Sequence, residues 1–84
     1  MRKNARKVLQ AFAESKPCNG DTISTDGQVL FSYKMKIART IPETGGIELI
    51  EYNRAPSATT RSHVRAVETF FSPRSIDRRV IEIK

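Results

Sequence analysis

Ala5, Val8, Leu9 and Phe12 recur at helical spacing and make one apolar stripe, which predicts a helix over residues 2–15. Pro17 and Asn19-Gly20 are the expected stop. The period then changes to two. Thr22-Ile23-Ser24-Thr25 and the run Gln28 to Tyr33 flank Asp26-Gly27, which predicts a β-hairpin closed by a type I′ turn. In its second strand Val29, Phe31 and Tyr33 point one way, Leu30 and Ser32 the other. Met35 to Ile41 continues extended. There Met35, Ile37 and Arg39 alternate with Lys36, Ala38 and Thr40, so one face is not purely apolar. Pro42-Glu43-Thr44-Gly45-Gly46 is a turn. The strand Ile47 to Tyr52 follows, with Ile47, Leu49 and Glu51 alternating with Glu48, Ile50 and Tyr52.

Pro56 keeps residue 55 out of helical geometry, and a second helix is expected over residues 57–71. Thr60, Val64, Val67 and Phe71 share one side, with His63 and Phe70 beside them; Arg61, Arg65 and Glu68 fall on the other. Ser72-Pro73 stops it. Residues 75–79 read as a charged connection and residues 80–84, Val80 to Lys84, as a last short strand. The expected fold class is α+β, in a single small domain of 84 residues. It has a basic N-terminal helix (1–16), an antiparallel meander of three to four strands (21–52), one helix packed on the sheet (57–71) and a C-terminal strand (80–84). Phe31 and at least one of Phe70 and Phe71 are expected in the core; Tyr33 and Tyr52 are the candidates for exposure.

Size narrows the function. A chain this short buries about 60–65 % of its unfolded surface, so a binding surface is easier to build than an enclosed enzyme cleft. The single cysteine, Cys18, excludes an internal disulfide, and with one histidine no metal site or cofactor is expected. No apolar run approaches the roughly 20 residues of a membrane span, and no apolar signal core follows the charged start. The expected compartment is the cytoplasm.

Charge adds a partner class. The formal net charge is +6. Residues 1–16 carry Arg2, Lys3, Arg6, Lys7 and Lys16 against Glu14, and residues 53–84 are equally basic, whereas Glu43, Glu48 and Glu51 make the middle acidic. Basic end regions favour a polyanion, either nucleic acid or an acidic protein surface; the plain alternative is a solubilising charge. The full basic pool is Arg2, Lys3, Arg6, Lys7, Arg54, Arg61, Arg65, Arg74, Arg78 and Arg79.

Three readings compete for Ser57 to His63. As nucleophilic chemistry it lacks an orienting carboxylate and a glycine-rich oxyanion loop, and adjacent Ser62 and His63 point about 100° apart on a helix. As structure, Ser57 or Thr59 caps the helix, and Thr60 and His63 at the edge of the apolar stripe clamp it to a strand. As an anion site, Ser57, Thr59 and Thr60 surround a helix N-terminus, and Arg54 and Arg61, with Arg65 beyond them, add charge that can fork onto a phosphate. No helix-turn-helix, zinc-finger or ribonucleoprotein motif accompanies these residues.

Two stretches resemble a known group. Thr25-Asp26-Gly27, Leu30-Phe31-Ser32-Tyr33 and Ile37-Ala38-Arg39, followed by Ser57-Ala58-Thr59-Thr60 and His63, resemble short proteins encoded by phages, prophages and plasmids that share a domain of unknown function. The likeness spans roughly residues 24–67. Pro56 stands where those proteins carry a tyrosine, and the nearest tyrosine is Tyr52. The resemblance implies a mobile-element origin. It implies either nucleic-acid binding or, as the alternative, inhibition of or adaptation to a host or defence-system protein. No catalytic residue is expected. A homodimer through an exposed strand edge is a further partner the pattern permits.

Overall fold

The computed structural model describes residues 3–52 and 58–81, and the side chains of 3–50 and 58–80. Helix α1, Lys3–Ala13, buries the stripe Ala5, Val8, Leu9 and Phe12. Ser15, not Pro17, ends it: its φ of 58° lies in the left-handed region. The Lys16 N–H then donates to the Ala11 carbonyl at 2.8 Å and the Ser15 N–H to that of Phe12 at 3.1 Å. This Schellman pairing satisfies carbonyls that a bare helix end leaves open.

Among the described residues six strands lie side by side in chain order. They are β1 (Cys18–Asn19), β2 (Ile23–Thr25), β3 (Val29–Ser32), β4 (Met35–Thr40), β5 (Ile47–Tyr52) and β6 (Ile76–Ile81). β1 to β5 form an antiparallel meander. Helix α2, Ala58–Phe70, carries the chain back along the sheet, so β6 pairs parallel with β5, Ile76 beside Ile47. The α+β class holds, with five strands in the meander where three or four were expected. β6 also begins at Ile76, not at residue 80. Charge marked 75–79 as a connection, yet β5 offers a free ladder there and an edge strand tolerates charged side chains. Residues 82–84 of the expected strand lie outside the described residues.

Local chemistry corrects two further expectations. The β2–β3 turn is not type I′, because of its residues only Gly27 has positive φ, at 106°. The Asp26 carboxylate instead accepts the N–H groups of Gln28 and Val29, each at 2.9 Å. These bonds hold its pKa below the ordinary 3.8. A Cβ on Gly27 would stand 2.9 Å from the Ser15 carbonyl oxygen, so the turn closes against the end of α1 only as glycine. In β4, Leu30 pairs with Ala38 but Phe31 pairs with Lys36, leaving Ile37 as an extra residue. The bulge lets both Ile37 and Ala38 face inward, where both are fully buried. It accounts for the broken alternation along this strand.

Both helices contact β3 and each other on one face of the sheet. Between them and the sheet lie Leu9, Phe12, Leu30, Ile37, Leu49 and Val67. Phe71 stands edge-on to Phe12, with ring centroids 5.9 Å apart, and to Phe70 at 5.0 Å. Phe31 is not central: it alternates with the buried Leu30 and Ser32 and is half-buried on the opposite face. On that face Arg39 Nε donates to Glu48 Oε1 at 3.0 Å, and Arg79 lies 3.7 Å from the same oxygen. Among the described residues no helix is long and apolar enough to cross a membrane.

Phe12→Ala removes a ring with 1 % exposure and its edge-on contact. The expected cost is about 3–5 kcal/mol, a large part of the roughly 5–15 kcal/mol typical of a domain. Urea unfolding should then begin at the lowest concentrations; a wild-type midpoint would refute this core. A second prediction follows from Glu48. The Arg39 hydrogen bond holds its pKa below the ordinary 4.5. Its contribution is therefore present above pH 4.5 and lost as pH falls through the lower folded value. Thermal melts from about pH 6 to about pH 3 should show a smaller loss for Glu48→Gln than for wild type. Parallel curves would rule the pairing out as a source of stability.

Candidate functional site

Ser32 is the polar residue that β3 turns towards the helices, and it is fully buried. Thr60 and His63 lie one turn apart on α2 and meet it there. Ser32 Oγ shares a hydrogen bond with His63 Nδ1 at 2.7 Å and another with Thr60 Oγ1 at 2.9 Å. His63 Nε2 is bonded to Thr22 Oγ1 at 3.1 Å. A neutral imidazole has one donor and one acceptor nitrogen, and a hydroxyl serves in either role, so the set satisfies either tautomer. Among the described residues no buried side-chain nitrogen or oxygen lacks a partner.

The 2.7 Å Ser32–His63 separation is that of a nucleophile and its base. Burial decides what it does. The Ser32 hydroxyl is fully buried, and the second imidazole nitrogen is bonded to the Thr22 hydroxyl. The four side chains join α2 to β3 and to the segment before β2.

A groove of about 720 Å³ opens beside this set, between the first turns of α1 and the side of α2. Buried Ala5, Ile23 and His63 lie at its base; exposed Lys3, Asn4, Asp21, Ser62 and Arg65 rise around it. Gly20 precedes the lining segment Asp21-Thr22-Ile23. A Cβ there would meet the Ile23 carbonyl oxygen at 2.7 Å and Val8 at 3.2 Å, so only glycine lets this segment lie against α1. The Gly20 N–H donates to that same carbonyl at 2.8 Å.

The residues expected at an anion site divide. Lys3, Thr59 and Arg65 line the groove. Arg6 and Lys7 on α1 and Arg61 on α2 are exposed outside its lining. Thr60 faces Ser32 rather than solvent. Arg2, Arg54 and Ser57 lie outside the described residues. From the wider basic pool, Arg78 donates to Glu68 at 2.7 Å and Arg79 approaches Glu48, while Arg74 is exposed on the 3₁₀ turn Pro73–Ser75. Sequence reasoning missed Ser32, Thr22, Asn4 and Asp21. Ser32 carried a signal, being a polar side chain on the core face of a strand; the other three carried none. Among the described residues no group of three or more histidine, cysteine or acidic side chains could hold a metal ion.

No family model, no curated protein and no solved structure matches the chain.

Ser32→Ala removes the buried hydroxyl bonded to both Thr60 and His63, at an expected cost of about 1–3 kcal/mol. His63→Ala strips the same junction. In a double-mutant cycle by denaturant unfolding, the pair should cost less than the sum of the singles by at least about 0.5 kcal/mol. Strict additivity would mean that the two side chains do not act as one unit.

Proposed function

We propose that this is a non-catalytic nucleic-acid-binding protein of phage, prophage or plasmid type, acting in the cytoplasm and gripping the phosphate backbone at the groove between α1 and α2. One observation carries the reading: Lys3 from one helix and Arg65 from the other line a single groove. Two cations lining one groove suit a chain of phosphates, and Thr59 and Ser62 on the same lining add hydroxyl donors. Arg6, Lys7 and Arg61, exposed on the same two helices, extend the positive field. The net charge of +6 and the resemblance of the Asp-Gly hairpin and the Ser-x-Thr-Thr-x-x-His segment to mobile-element proteins point the same way.

A second reading is an inhibitor or adaptor that binds a host or defence-system protein. It is favoured by Tyr33, 54 % exposed and held at φ 58°, a conformation costly for a bulky residue and often kept at functional sites. The outer edge of β6, with Val80 64 % exposed, offers a strand to such a partner or to a second copy.

Polarisation with random-sequence single- and double-stranded DNA and RNA separates the two. Binding should be evident at about 50 mM salt and weaken steeply by about 200 mM, because each phosphate contact releases counterion. Lys3→Ala and Arg65→Ala should each weaken binding to every sequence alike and lower the salt slope by about 1. Absence of binding at the lower salt overturns the nucleic-acid reading and leaves the protein partner, to be sought in nuclease-treated host lysate.

A further inference from the structure

A carboxylate is out of place in a groove that serves only phosphate. Asp21 nevertheless lines it, together with Lys3, Arg65 and its hydrogen-bond partner Asn4. We propose that the groove seats an unpaired guanine base and that Asp21 reads it; this rests on the nucleic-acid reading above.

The chemistry of the base makes the choice. An ionised carboxylate only accepts hydrogen bonds, through two adjacent oxygens. Guanine presents two adjacent donors, N1–H and the 2-amino group, on its pairing edge. Adenine, cytosine and thymine each set an acceptor beside their donor on that edge. In a duplex these groups are already paired, so the base must come from a single strand, a loop or a free nucleotide.

The geometry holds Asp21 ready. Asn4 Nδ2 donates to its Oδ2 at 3.2 Å, and each carboxylate oxygen keeps lone pairs for further donors. Both chain neighbours are anchored. Gly20 bonds the Ile23 carbonyl, while Thr22 bonds His63 through its hydroxyl and accepts the Tyr33 N–H at 2.7 Å through its carbonyl. Ala5, Ala66 and Ile23 supply a small apolar surface for the face of a base, and the small side chains leave the space. Lys3 and Arg65 remain for the attached phosphate. A carboxylate beside the first turn of α1 also suits the helix dipole, but that role is indifferent to which base is offered.

The test is polarisation of labelled strands that are all thymine except for one central guanine, adenine, cytosine or inosine, at low salt. The guanine strand should bind about tenfold tighter than the adenine and cytosine strands, the scale of one good two-bond base contact. Inosine, which lacks the 2-amino group, should fall between. Asp21→Asn, nearly the same size, should erase the preference while keeping the wild-type melt. Guanosine monophosphate displacing the guanine strand, with adenosine monophosphate inert, assigns the site to free nucleotides; preference without displacement assigns it to strands. Equal affinity for all bases, or a preference that survives Asp21→Asn, overturns the inference and leaves phosphate binding standing. Failure of every strand to bind overturns the nucleic-acid reading itself.

Discussion

The hydrogen-bonded chain Thr60–Ser32–His63–Thr22 fixes where α2 lies, and the rest of the functional surface depends on that position. Apolar burial is non-directional. Val67 and the partly buried Val64 and Phe70 would tolerate α2 in several registers against Leu30 and Leu49. The polar chain does not. A shift of one residue would strand a fully buried serine hydroxyl and an imidazole with 7 % exposure, at about 1–3 kcal/mol for each group left unpaired. Stability and register therefore come from different forces in the same interface.

From that anchor the geometry propagates in two directions. Towards the C-terminus, α2 ends where Phe71 meets Phe12, and β6 enters the sheet beside β5 with Arg78 bonded to Glu68 of α2. Towards the N-terminus of α2, His63 holds Thr22, and Thr22 fixes the segment that carries Asp21 against Asn4 of α1. The two walls of the groove are thus tied through its base.

The sequence was most legible where one period ran unbroken. The helical stripe of α1 and the alternation of Leu30 and Ser32 are local, and the structure keeps both. Expectation failed where a distant partner decides. Residues 75–79 look like a linker until β5 is known to have an open edge. Ile37 breaks the alternation until the bulge opposite Leu30 and Phe31 is seen. Ser15 ends α1 by adopting positive φ, a choice that no residue preference for serine announces. In the groove, Lys3 and Arg65 were legible as charge but not as neighbours. Asp21 and Asn4 gave no sign, since their pairing joins positions 17 residues apart through the fold alone.

Thr59 and Thr60 show how one helix serves both purposes. They are chemically identical and adjacent, and the turn of an α-helix points them about 100° apart. Thr60 faces the sheet with 3 % exposure, and its hydroxyl helps to set the register. Thr59 lines the groove instead. His63 sits at the boundary: buried enough to be held by Ser32 and Thr22, yet part of the groove lining. A rotation of α2 large enough to exchange these two faces would break every bond of the polar chain at once. The backbone walls of the groove are therefore set by the same buried chain that sets the register of α2.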